Sequence, residues 1–257
     1  MDHGTKPSDL GLNRTGIATA PARAREMAEG SASAPPTARG TTLADERTAL
    51  ARDAPPVGTV PVPTTLKGMA KSALKALQGE KATVLLDKLG ERLAFERTGV
   101  RLYDAVLAKL EGASTEEGTL GAAELRRIRD DELRHMHVVR EAIEALGADP
   151  TAMTPMADLR GVQSMGLVQA VTDPRTTLTQ CLDTLLVAEL ADNDAWKIAI
   201  AMAEALGMAE LAERFTICLA EEDRHLALLR RWMAERLEVQ LGAKMPPLEF
   251  GEPAQPA

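Results

Sequence analysis

The chain has 257 residues, 45% of them apolar and 26% charged, with a formal net charge of −8. That balance fits a soluble protein of one large or two small domains and argues against a nucleic-acid partner. Aromatic residues make up only 2% of the chain, so the core has to be built from Leu, Ala, Val, Ile and Met. Two distant cysteines, Cys181 and Cys218, argue against a disulfide framework and a thiolate zinc site. No apolar run is long enough to span a bilayer. The N-terminus lacks a basic-then-apolar leader, which places the protein in the cytoplasm.

Residues 1–65 are rich in Ala, Pro, Thr, Gly and charge, with no aromatic and no sustained period, and are expected to form a disordered tail. Leu10–Ile17 is the most apolar part of it and reads as a tail cluster ahead of a docking motif. Residues 66–80 follow as a linker. Within it, Leu66–Leu77 is predicted to form a short amphipathic helix with Lys67, Lys71 and Lys75 on one side, ended by Gly79. Such a helix packs on the rest of the chain more readily than on a membrane, since it offers little apolar area.

Four long helices are then predicted within 81–241. The first, about 82–110, has the seam Leu86, Leu89, Leu93, Glu96, Val100, Tyr103, Leu107, Leu110, with steps of three and four as in a bundle core. Glu96 stands mid-seam where an apolar residue is expected. The short linker 112–121 turns the chain back. The second helix, about 122–146, has Leu125, Ile128, Glu132, His135, Val139, Ala142 and Leu146, with Gly147 as its C-terminal cap. A long connection to about Asp173 can carry the chain from one end of the bundle to the other, with a short helical piece around 162–171.

Asp173 and Pro174 read as N-cap and first residue of the third helix. Its seam is Leu178, Leu182, Leu185, Glu189, Asp192, Trp196, Ala199, Ala203, Leu206. After a tight turn at Gly207, the fourth helix has Leu211, Phe215, Cys218, Glu222, His225, Leu229 and Trp232. The residues after Leu241 are Pro-rich and are expected to be loose (242–257).

The four seams therefore read Glu, Glu-x-x-His, Glu, Glu-x-x-His. The single glutamates are 93 apart (96 to 189) and the paired motifs 90 apart (132 to 222). Two helical hairpins thus carry equivalent residues, and near two-fold symmetry is expected. Glu and His three apart share one helix face. Four carboxylates converging in an apolar core cannot stay ionised alone, because desolvation costs several kcal/mol per charge. Two divalent cations match four glutamates and two neutral imidazoles. Carboxylate with imidazole suits iron or manganese, and zinc also binds such groups. A metal-bound His needs its second ring nitrogen held by an acceptor, and Asp131 or Glu221 precedes each motif. These acids either orient the histidine of the other hairpin or stand at the surface.

Asp192, on the face of Glu189, is either a direct or bridging carboxylate or an acid behind the ligands. Tyr103, two turns from Glu96, is read as core packing ahead of a redox role. Trp196, Trp232 and Cys218 are read as core, and His137 as solvated.

Over about 82–237 the sequence resembles the ferritin-like superfamily, on Glu96, Glu132, His135, Glu189, Glu222 and His225. The resemblance implies an all-α, ferritin-like four-helix bundle with a long crossover between the second and third helices. It also implies a di-iron or di-manganese centre. Asp192 stands where rubrerythrins have a Glu, but the chain has no cysteine-rich rubredoxin domain, and the N-terminal segment fits none of these families well. The function expected is oxygen- or peroxide-dependent redox chemistry at two metal ions, iron first, of ferroxidase or peroxidase type. The alternative is a non-catalytic iron-binding or storage subunit, or a stress-associated scaffold. A homo-oligomer is expected, with oxygen or hydrogen peroxide as reactant and an electron donor that the sequence does not specify.

Overall fold

A computed structural model describes residues 21–33, 40–54, 59–60, 80–112, 121–248 and 250. The helix expected over Leu66–Leu77, the Leu10–Ile17 cluster and most of the 112–121 linker lie outside the described residues. The described helices divide between two units, 1–56 and 57–257.

The first unit holds α1 (Pro21–Ser33) and α2 (Gly40–Asp53), two helices where the sequence predicts none. Their described side chains are exposed, so they build no core. Ala, Arg and Glu favour helix through propensity alone, without the apolar stripe by which the other helices are recognised.

The second unit contains α3 (Glu80–Glu111), α4 (Ala122–Ala145), α5 (Pro155–Thr172), α6 (Leu178–Ala205) and α7 (Ala209–Leu241). Its apolar residues form two clusters, one at each end of the bundle. The first joins Leu102, Val106 and Leu110 of α3 to Leu125, Ile128, Leu178, Leu182, Leu185, Leu229 and Trp232. The second joins Leu85, Leu86 and Leu89 to Val139, Ile143, Trp196, Ala203, Leu211 and Phe215. Burying one such Leu or Phe stabilises the fold by about 1.5–3 kcal/mol. The start of α3 meets the end of α4, and the end of α6 meets the start of α7, so each hairpin is antiparallel. Between the two apolar layers lies the polar one.

The long connection is itself a helix. At the start of α5, Thr154 caps with its side chain accepting from Ala157 N at 3.3 Å, and Pro155 follows at the first position. Asp87 on α3 accepts from Met156 N at 2.9 Å, which anchors this end. Val171, at the other end of α5, lies in the opposite apolar cluster with Leu178. The crossover therefore runs the length of the bundle beside α3, the single crossover of the ferritin-like arrangement.

Asp173 ends α5, and α6 starts four residues later than expected. Asp173 instead accepts from Arg175 N at 2.9 Å in a turn. Thr177 is the N-cap, with a capping box completed by Gln180. Gly147 and Gly207 adopt φ of 79° and 69° and end α4 and α6, and the next amides, Ala148 N and Met208 N, donate back to Ile143 O and Ala203 O. The described residues after Gly242, in a segment expected to be loose, turn back on α7. Met245 N donates to Glu238 at 3.1 Å, and the Arg230 guanidinium lies 4.2 Å over the Phe250 ring. No described helix is long and apolar enough to cross a membrane.

Candidate metal centre

The polar layer is built from the mid-points of four helices. The seam of α3 places Glu96 there, α4 Glu132 and His135, α6 Glu189, and α7 Glu222 and His225, and all six are buried. Their ligand atoms fall into two sets of four, within each of which the atoms lie within 4.8 Å of one another. One set is Glu96, Glu132, His135 and Glu222; the other is Glu132, Glu189, Glu222 and His225. Glu132 and Glu222 belong to both, the placement of carboxylates shared between two cations.

Both imidazoles are held the same way. His135 Nε2–H donates to Glu221 Oε2 at 2.8 Å, and His225 Nε2–H donates to Asp131 Oδ2 at 3.1 Å. Each acid belongs to the opposite hairpin from its histidine. The Nδ1 atoms are left facing inward. His135 Nδ1 is 2.7 Å from Glu222 Oε1, and His225 Nδ1 is 3.4 Å from Glu222 Oε2 and 3.6 Å from Glu189 Oε2. Arg134, half exposed, lies 2.7 Å from both Asp131 Oδ1 and Glu221 Oε2. It therefore ties the two supporting acids together.

Each single glutamate has one oxygen engaged and one free. Glu96 Oε1 accepts from Arg92, and its Oε2 is 3.8 Å from His135 Nδ1. Glu189 Oε1 accepts from the Tyr103 hydroxyl, and its Oε2 faces His225. Tyr103 thus packs in the apolar cluster and also bonds to the centre. Asp192 belongs to neither set of four and pairs with Arg92. His137, expected in solvent, is half-buried.

Electrostatics follow from this crowding. Burial, then the charges of Glu222, Glu189 and Asp192, push Glu132 well above the ordinary carboxyl range. Burial and the Glu222 charge raise Glu189 to about 7. Burial pulls the His225 value down, but the bond to Asp131 and the neighbouring carboxylates of Glu189 and Glu222 outweigh it and push it up to about 12. Burial works against Asp131 ionisation, yet His225 and Arg134 hold its carboxyl down at about 2. Burial, then Glu189, keeps the Tyr103 phenol neutral, far above its usual value. Burial raises the Cys218 thiol to about 12, so it is an inert core residue.

Three residues were not singled out in the sequence. Arg92 is fully buried, with its guanidinium 4.6 Å from the Trp196 ring centroid. Its position four before Glu96 is a helical ion-pair spacing, the one signal that pointed to it. Gly99 lies against Glu132, where an added Cβ would fall 1.9 Å from Oε2. Asn193 donates to Asp223 at 2.6 Å, a polar contact between α6 and α7.

The donors fit a pair of metal ions. Glu96 Oε2, Glu189 Oε2, both Glu222 oxygens and both histidine Nδ1 atoms are buried without a hydrogen bond. Stranding so many polar atoms is costly unless cations take them up. Fold and site together define an all-α four-helix bundle with a buried carboxylate–histidine centre. No family model matches the chain, and no curated protein does. Among solved structures it is similar to a ferritin-like, diiron-carboxylate protein from Bacillus anthracis str. Ames, with 20% identity and a TM-score of 0.49 over 61% of this chain and 99% of that one.

Proposed function

We propose that the protein is a ferritin-like di-metal protein whose two metals are iron and which reacts with oxygen or peroxide in a ferroxidase or peroxidase manner. The observation that carries this is the pair of four-donor sets sharing Glu132 and Glu222, with both Nδ1 atoms turned inward. Two ferrous ions held by these residues would supply one electron each, passing to the ferric state, to reduce oxygen or peroxide. The chain's own residues do the rest. Glu132 and Glu222, common to both donor sets, would serve both metal positions, and Glu96 and Glu189 would each offer one oxygen. Asp131 and Glu221 fix the Nε2–H tautomers, so that each Nδ1 presents a lone pair once its proton is displaced. The apolar layers on either side exclude bulk water. Carboxylate and imidazole donors favour iron or manganese over softer ions. A cytoplasmic homo-oligomer served by a separate electron donor is part of the same reading.

The test is an anaerobic titration of purified apoprotein with ferrous iron, followed by exposure to oxygen in an electrode cell. Binding of two ferrous ions per chain, then fast oxygen uptake, is expected. Absence of binding overturns the reading. Two bound ions without oxygen or peroxide consumption leave a metal protein and remove the redox activity, and hundreds of irons per assembly point to storage.

A further inference from the structure

The two single glutamates are locked by chemically different partners. Glu189 Oε1 accepts from a neutral phenol, Tyr103. Glu96 Oε1 accepts from a guanidinium, Arg92, which lies on the same helix one turn before it. Arg92 is fully buried and stacks over Trp196, so it can neither swing away nor be screened by solvent. Its other terminal nitrogen pairs with Asp192 on α6, also buried. The rest of the two donor sets match: one shared pair of glutamates, one histidine each, one supporting acid each.

We propose that Arg92 makes the two metal positions unequal, so that the Glu189–His225 position fills first and the Glu96–His135 position is the weak one. Arg92 belongs to neither donor set and is a positioning residue. It draws carboxylate charge toward itself by a charge-assisted bond and fixes Glu96 as a one-oxygen donor. It also places a buried positive charge beside the incoming cation. Asp192 lies against the guanidinium and offsets part of that charge, but Glu96 is the donor that Arg92 itself contacts. The phenol of Tyr103 imposes no such charge on Glu189. This inference rests on the two-metal reading above and adds an order of filling to it.

The experiment is a stepwise anaerobic titration of the full-length apoprotein with ferrous iron, and in parallel with cobalt(II), read by calorimetry and by a competing chelator. Wild type should show two phases whose constants differ by about tenfold or more. Glu96→Gln should remove the weak phase and Glu189→Gln the strong one. Arg92→Met should tighten the weak phase and draw the two together, while Arg92→Lys, which keeps the charge, should preserve the split. Asp192→Asn leaves the guanidinium uncompensated and should weaken the weak phase further. Arg92→Met and Asp192→Asn thus shift one constant in opposite directions, whereas a purely structural role predicts that both loosen the site. If Arg92→Met does not fold, Arg92→Gln, also uncharged, takes its place: a tighter weak phase is expected, and a looser one overturns the inference. Two equal wild-type constants, or shifts of the same sign in both variants, overturn the inference while leaving the two-metal reading standing. A wild-type protein that binds no metal overturns that reading itself.

Discussion

The two hairpins, α3–α4 and α6–α7, carry the same ligands and the same supporting acids, and differ at several positions around them. At the repeat spacing, Arg92 corresponds to Leu185, Gly99 to Asp192, Val100 to Asn193, Tyr103 to Trp196 and Leu133 to Asp223. A positive charge on one hairpin is answered by a negative charge on the other, through the Arg92–Asp192 pair. The positions that hold Val100 and Leu133 in one hairpin hold Asn193 and Asp223 in the other, joined there by a hydrogen bond. Ligand geometry therefore tolerates little variation, while the supporting residues are free to diverge so long as buried charge stays paired.

The strongest way to break the symmetry is to remove a shared carboxylate. Glu222 belongs to both donor sets, so Glu222→Gln should take both positions out, with metal content falling from two per chain to a small fraction of that and oxygen uptake lost. In chelator the same variant should melt no lower than wild type, because it relieves repulsion that pushes Glu132 and Glu189 up. Elemental analysis and paired thermal melts report both. A variant that keeps its metal and melts lower in both conditions removes Glu222 from the centre.

The crossed acids sharpen the comparison. Asp131→Asn loosens His225 and Glu221→Gln loosens His135, so each should weaken one position by about 10- to 100-fold, and by similar factors. Chelator competition measures this. A large effect from one acid and none from the other would show that only one hairpin's histidine depends on its partner.

Acidity should act with opposite signs on the empty and filled centres. The Glu189 value is about 7 in the fold against an ordinary 4.5. Between these values the native protein keeps a proton that the unfolded chain has released, so stability falls as pH rises through that window. The difference is on the order of 3 kcal/mol when fully developed. His225, raised to about 12 from 6.5, extends the same downward slope above pH 6.5. With metal bound, protons compete with the cations for Glu and His, and stability should rise with pH instead. Melts from pH 5 to 8, with chelator and with ferrous iron, test the crossing of slopes. Parallel curves would show that metal does not occupy these side chains.

The smallest effect is expected at Tyr103→Phe, which removes one hydrogen bond to Glu189 and leaves the ring packed. A loss of about 0.5–1.5 kcal/mol is expected, with two metals still bound, and denaturant melts are sensitive enough to see it. Loss of the metal as well would make the phenol part of the centre's assembly.

The four seams and the six polar residues interrupting them were legible because a bundle core has a strict period, and Glu or His in it is conspicuous. Gly147 and Gly207 were legible as turns for local backbone reasons. Arg92 and Glu91 were not, since charged residues on a helix read as solvent-facing. Here α5 covers that side of α3: Arg160 of α5 bonds to Glu91 at 2.9 Å, and Arg92 finds Asp192 on α6. The full extent of α5 is not legible in the sequence because it lacks a clear apolar stripe, although Thr154-Pro155 is a readable start. Asp173-Pro174 and Thr177 are competing caps, and the reciprocal bond from Gln180 decides for Thr177. Gly99 could be found only in three dimensions, since the atom it makes room for belongs to another helix.

The crossing of acids between hairpins has a kinetic consequence. Each imidazole sits on one hairpin while the carboxylate that aligns it sits on the other, and Arg134 bridges the two carboxylates. A fluctuation that parts α4 from α7 therefore releases both rings at once and leaves neither hairpin with an intact half-centre. Metal escape and hairpin opening are then a single event with one rate, and hydrogen exchange in α4 and α7 is the clock that measures it.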